Sequence, residues 1–207
     1  MKKYIFPLLL FTGFVSYSNA QTVSIGSQVW MTKNLDVSTF RNGDSIHEAK
    51  SDQEWLKAGE NKQPAWCYYE NNPANGVKYG KLYNWFAVTD PRGLAPVGYH
   101  IPSDKEWTVL TDYLGGEEKA GNKMKSKDDP KSVGTGTNGS GFSGLLGGYR
   151  FNNDGAYYQI GRIGYWWSST GDGPGYAWIR TLSFSIGGVR RMSNGKDTGF
   201  SVRCLRD

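Results

Sequence analysis

The strongest constraint on how this chain can fold is its wealth of aromatic side chains set among glycines: 8 Trp, 13 Tyr and 9 Phe accompany 28 Gly in 207 residues. A helical bundle needs long aliphatic stripes at helical spacing. Here the aromatics recur every few residues and are separated by Gly, Asn, Ser and Thr. That is the pattern of short strands joined by structured loops.

Two helices nevertheless declare themselves. After Pro102, Ser103 and Glu106 form a capping box, and Trp107, Leu110, Tyr113 and Leu114 follow at i, i+3, i+6 and i+7 before Gly115-Gly116 stops the run. This predicts a helix over 103–114 with Trp107, Leu110 and Leu114 as its buried stripe. A second helix, around 51–58, begins at Ser51 or Asp52 ahead of Glu54-Trp55-Leu56 and ends at Gly59. Thr22 to Asn34 reads as a β-hairpin. Beyond Gly141 the chain reads as β structure, with turn signals at Asn153-Asp154-Gly155 and Asn194-Gly195 and a last strand over Phe200 to Leu205. The glycine-rich stretch 126–141 reads as a long loop. Helices first and strands last predict one α+β domain over 21–207, with two helices and a mainly antiparallel twisted sheet.

Residues 1–20 read as a secretory signal peptide: Lys2-Lys3, an apolar stretch from Tyr4 to Val15, then Ser18-Asn19-Ala20 before the cleavage point. The apolar stretch is too short for a membrane span, which needs about 20 residues, and no later one is longer, so no transmembrane segment is expected. The remaining chain is then exported, to the periplasm, the cell surface or the medium. Its formal charge falls from +5 to +3 with the loss of the two lysines. The Lys and Arg residues after Tyr176 are dispersed among glycines and aromatics, which argues against nucleic acid as a partner.

Cys67 and Cys204 both lie in the exported part, where a bonded pair persists, and a disulfide between them is expected. Neither has a CxxC partner, and His47 and His100 stand alone, so neither metal nor cofactor is expected. The loop Asn71-Asn72-Pro73-Ala74-Asn75-Gly76 offers several oxygens but lacks calcium-loop spacing, and Asx-turn chemistry accounts for it. No GxSxG elbow or phosphate-binding loop is present. His100, between Tyr99 and Ile101, reads as a packed residue; only a cleft holding it beside a carboxylate and a hydroxyl would argue for catalysis. Non-catalytic chemistry is therefore expected.

The most suggestive cluster is Tyr165-Trp166-Trp167-Ser168-Ser169-Thr170, followed by Trp178 and by Arg190-Arg191. On an alternating strand one of the two tryptophans faces outward unless both faces of the sheet are covered. Exposed rings beside hydroxyls and guanidinium groups suit a sugar or a protein surface, so these nine residues are the expected ligand face.

Six segments, in order, resemble a known family: Val29-Trp30-Met31-Thr32-Lys33-Asn34-Leu35, Tyr79-Gly80-Lys81-Leu82-Tyr83-Asn84-Trp85, Gly98-Tyr99-His100-Ile101-Pro102-Ser103-Asp104-Lys105-Glu106-Trp107, Gly147-Gly148-Tyr149-Arg150, Tyr165 to Thr170, and Gly199-Phe200-Ser201-Val202-Arg203-Cys204. Together they are similar to the Fibrobacter succinogenes major paralogous domain. The resemblance implies an exported or surface protein of the Bacteroidetes type, and a C-type-lectin-like fold in which an early cysteine is bridged to one in the last strand. The calcium-lectin signatures are absent, as is the lipobox cysteine of the family's lipoproteins. The expectation is a secreted or cell-surface binding module whose ligand is a glycan or a protein surface, with a structural subunit of a surface assembly as the alternative.

Overall fold

A computed structural model describes residues 21–127 and 136–207; the signal-peptide reading and the middle of the 126–141 loop fall outside them. The chain opens with the expected hairpin, β1 (Thr22–Ile25) and β2 (Gln28–Met31), closed by Gly26 at φ +60°. A short strand β3 (His47–Glu48) leads to helix α1 (Asp52–Glu60), where Ser51 and Glu54 make a reciprocal capping box. Strand β4 (Ala65–Cys67) and a 3₁₀ turn precede α2 (Pro73–Tyr79), β5 (Leu82–Tyr83) and α3 (Trp85–Val88). Next come β6 (Tyr99–His100), α4 (Asp104–Tyr113) and α5 (Glu117–Met124). The C-terminal half is β7 (Gly147–Arg150), β8 (Tyr157–Ile160), β9 (Ile163–Gly171), β10 (Tyr176–Ser183), β11 (Val189–Gly195) and β12 (Leu205–Arg206).

The strands form three sheets, ordered β1-β2-β12-β6, β3-β4-β5 and β11-β10-β9-β7-β8, with parallel pairing only at β3·β4 and β7·β9 among the named strands. One extended segment, Phe200 to Leu205, ties them together. Phe200 exchanges backbone bonds with Tyr83, Ser201 bonds to Tyr165 and Trp167, Val202 accepts from Leu35, and Cys204 accepts from Met31. Every residue of this segment is buried. The expected final strand is thus a central thread that pairs briefly with several neighbours in turn.

Helix α4 has the predicted Ser103–Glu106 box and buries Trp107, Leu110 and Leu114, while Tyr113 lies outside over the Gly26 turn. The domain is α+β as expected, but the described residues contain five α-helices where two were predicted. Asn72 caps α2 by accepting from the Ala74 amide, with Pro73 at the first helical position. The same Asn-Pro pair that reads as a turn is therefore a helix start. Helix α3 is only four residues long, and α5 begins directly after the glycines that end α4, packing Gly121 against the Gly188 carbonyl where a Cβ would collide at 2.1 Å. Helix α1 runs past Gly59 to Glu60: the left-handed position that ends it falls at Lys62, while Gly59 admits the close approach of Asp197.

The turn at Asn153-Asp154-Gly155 joins β7 to β8, with Gly155 at φ +73°. Asn194-Gly195 is instead the paired end of β11, opposite Ala177 and Tyr176, and the chain turns just after it.

The expected disulfide is also corrected: Cys67 and Cys204 are buried free thiols. Alternation along β4 sends Trp66 into the core that contains Cys204, and Cys67 to the opposite side, among Ala49, Trp55, Tyr69 and Leu82. Burial raises the pKa of both thiols, that of Cys204 to about 12. Intact-mass analysis of unreduced protein should show no alkylation in buffer and two alkylated cysteines in denaturant. A species 2 Da lighter that resists alkylation would contradict the free-thiol structure.

Candidate functional site

The expected ligand face divides between the two sides of the large sheet. Trp166 points to one side, into a core with Trp30, Trp107, Phe142 and Leu182; Trp167 points to the other, among Tyr83, Ala177, Ile179, Phe200 and Val202. Both faces are covered at this point, and the rings are 1 % and 0 % exposed. Their indole N–H groups donate inward, Trp166 to Asn34 Oδ1 at 2.9 Å and Trp167 to the Tyr83 carbonyl at 2.8 Å. Ser168 is buried, its hydroxyl accepts from the Thr170 amide, and the Ser169 amide is bound to the Pro102 carbonyl.

Thr170, Trp178 and Arg191 share the α4 side. Thr170 Oγ1 accepts from the Asp104 amide, and Arg191 lies over the Trp178 ring at 3.3 Å while gripping both Asp104 carboxylate oxygens. Buried Arg180 adds a 2.6 Å bond to the same carboxylate. Burial would raise the Asp104 pKa, but these two guanidinium groups more than offset it and hold the carboxyl low. This cluster fastens helix α4 to the sheet.

Tyr165 and Arg190 come together on the opposite side. Beyond the rim of the Trp167 core that face is open, and a groove of about 240 Å³ lies over it, lined by Tyr149, Tyr165, Thr181, Arg190, Met192 and Asn194, with Phe200 below. Register explains the grouping: Tyr165 is opposite Thr181, Thr181 opposite Arg190, and Met192 and Asn194 follow Arg190 at two-residue steps. Tyr165 stacks on Phe200 at 5.0 Å and meets Tyr149 edge-on at 5.0 Å, so both rings are held in fixed poses. Burial, and next the neighbouring Tyr149, push the Tyr165 phenol up to about 12; burial, and next Asp154, raise Tyr149. Both stay neutral and able to donate at neutral pH. Neither hydroxyl, nor the Arg190 guanidinium, nor the Asn194 amide nitrogen has a hydrogen-bond partner among the described residues. Tyr149, Met192 and Asn194 were not expected at a site. The two-residue spacing from Arg190 could have indicated Met192 and Asn194, whereas Tyr149 comes from a strand distant in sequence.

A second cleft, of about 350 Å³, opens beside His100, with Arg41, Glu106 and Ser169 in its walls. Here a histidine does stand beside a carboxylate and a hydroxyl. Both ring nitrogens are engaged, however: Nδ1 with Asp207 at 2.8 Å and Nε2 with Glu106 at 2.9 Å, while the Ser103 hydroxyl donates to Glu106 and caps α4. A general base must present an unprotonated nitrogen to a substrate; here each ring nitrogen faces a carboxylate, which favours the protonated ring and a clamp between Asp207 and α4. Burial alone would lower the His100 pKa, but the hydrogen bonds to Asp207 and Glu106 outweigh it and raise the value above 6.5. The clamp therefore contributes in full below pH 6.5 and is lost as pH rises through the raised folded value; Glu106, held low, releases it only in acid. His100→Gln should lower Tm near pH 6 and change it little at pH 9, by less than about 1 kcal/mol because the pair is more than one-third exposed. An equal loss at both pH values would contradict the clamp.

Among the described residues no cluster of three or more His, Cys, Asp or Glu could hold a metal ion, and no helix is long and apolar enough to cross a membrane. What fold and site define is an α+β domain with an interior built from aromatics and an open, aromatic-lined groove on its main sheet. The family model of the Fibrobacter succinogenes major domain matches residues 23–206, and the chain belongs to that family. No curated protein and no solved structure matches it.

Proposed function

We propose that this chain is an exported, non-catalytic binding module of C-type-lectin-like architecture whose sheet groove holds a segment of a glycan chain. The observation that carries this reading is the set of unbonded polar groups, the Tyr149 and Tyr165 hydroxyls and the Arg190 guanidinium, beside rings already fixed by packing. Rings held in place stack on a sugar at little entropic cost, and unpaired donors orient its hydroxyls. At about 240 Å³ the groove is smaller than the ~300–1,000 Å³ typical of sites that engulf a small molecule, which suits part of a longer chain lying across it. Exposed Met192 on the groove side of the same sheet supports a second reading, a subunit that docks a protein face.

Arg190→Ala and Tyr149→Phe test the first reading, because both side chains reach the groove and neither makes a hydrogen bond that holds the fold. Arg190→Ala should weaken glycan binding about tenfold or more, and Tyr149→Phe several-fold, at unchanged Tm. Glycan affinity unaltered in both variants would remove the groove from the account.

A further inference from the structure

The cleft bounded by the end of α1, by α3 and by the β9–β10 loop does not share its lining with the groove. We infer that it is a second ligand site, and that it takes an acidic sugar, a uronate unit of a glycan. Its volume is about 350 Å³, and its walls are Gly59, Lys62, Trp85, Phe86, Pro174 and Lys196, with Gly175 and Asp197 completing the lining.

Each wall is built, not incidental. Trp85 is pinned by its indole N–H to the Ser168 carbonyl at 2.9 Å. Lys196 lies over that ring at 4.5 Å, and its ammonium holds the Gly173 and Pro174 carbonyls at 3.0 Å each, fixing the loop that forms one side. An ammonium has three protons, which leaves one for a ligand. Asp197 receives the Asn152 amide on Oδ1, while Oδ2 has no partner among the described residues and can accept from a sugar hydroxyl. Two ammonium groups against one carboxylate give the cleft an excess positive charge, and half-buried Phe86 and Trp85 give it an apolar floor. A uronate has the complementary parts: a carboxylate, hydroxyls and an apolar ring face.

Lys62 supplies an independent observation. Helix α1 ends in a Schellman motif, with the Gln63 amide bonded to the Ala58 carbonyl and the Lys62 amide to the Gly59 carbonyl. The residue at the Lys62 position must be left-handed, which favours glycine; lysine stands there at φ +52°. Its exposed side chain makes no hydrogen bond or ion pair among the described residues. The position is one that glycine fits without strain, so replacing Lys62 with glycine removes the ammonium from the cleft wall without disturbing the helix end.

Calorimetric titration of the purified chain with oligogalacturonate, beside a neutral oligosaccharide of equal length and a poly-glutamate peptide, tests this. The native chain should bind the oligogalacturonate, and bind it more weakly as salt rises. Lys62→Gly should lower that affinity about tenfold while Tm holds or rises, Phe86→Ala should also lower it, and Arg190→Ala should leave it within twofold. The inference is overturned if the native chain does not bind the acidic oligomer, if the neutral sugar or the peptide binds as well, or if Lys62→Gly binds unchanged. Loss in Arg190→Ala alone would assign the acidic ligand to the groove instead, so the two sites are judged separately.

Discussion

Replacing either Trp166 or Trp167 with alanine is expected to destabilise the domain by about 3–5 kcal/mol, because each empties a ring-sized space in a different core. The two losses are of similar size although the side chains point in opposite directions. Trp166 fits only because residue 164 is glycine, where a Cβ would stand 2.4 Å from the indole, and it meets Phe142 edge-on at 6.0 Å. Trp167 meets Phe200 at 4.7 Å and satisfies the Tyr83 carbonyl, which its removal leaves without that donor. Urea denaturation of the two variants measures this. A change below about 1 kcal/mol in either would mean that its ring is outside the core and would restore it as a contact residue.

Arg203→Met should be as damaging, by about 3–5 kcal/mol, although it replaces a charged residue with an apolar one of similar length. The guanidinium is fully buried and has no carboxylate partner among the described residues; it donates to the Met31 and Phe142 carbonyls and twice to Asn34 Oδ1, and lies over the Phe142 ring at 4.5 Å. Burial lowers its pKa, so the fold holds the charge against a desolvation cost with these acceptors alone. Removing the donors leaves buried carbonyls unpaired in the hairpin and beside the 136–146 segment. A planar fork can reach all three acceptors where an ammonium cannot, so Arg203→Lys should recover little. At about 2–4 °C per kcal/mol for a domain of this size, Tm should fall by about 10 °C. A stable Arg203→Met variant would show that these bonds are replaceable.

Asn34 also explains what was legible beforehand and what was not. Its Oδ1 receives Trp166 and Arg203, and its Nδ2 donates to the Tyr79 carbonyl, so four of the six segments that resemble the family meet at one amide. The segments that make the family recognisable are largely interior struts. They carry information about the fold and little about a ligand. Helix α4 was legible because its cap, stripe and stop are local, and so was the β7–β8 turn. Helices α2 and α5 were not, since Asn72-Pro73 and Gly115-Gly116 serve equally as turns and as helix borders. Whether Trp166 or Trp167 faces water depends on what covers each side of the sheet, and Trp30, Trp107 and Phe200, which cover it, are far away in sequence. The cysteines misled for the same reason: compartment and number suggested a pair, but the parity of β4 decides which side Cys67 takes. Of the nine expected contact residues, Tyr165 and Arg190 reach the groove together; the partners that complete it come from register across three strands.

The most direct test of the account is a glycan array probed with the purified chain and with Arg190→Ala in parallel, each run with and without chelator. The native chain is expected to retain a restricted set of glycans, indifferent to chelator, and Arg190→Ala to lose the neutral glycans of that set at unchanged Tm while any uronate-containing glycans, held by the separate cleft, stay bound. An array with no retained glycan, or one whose signals are the same for both proteins, would contradict the groove as the binding site.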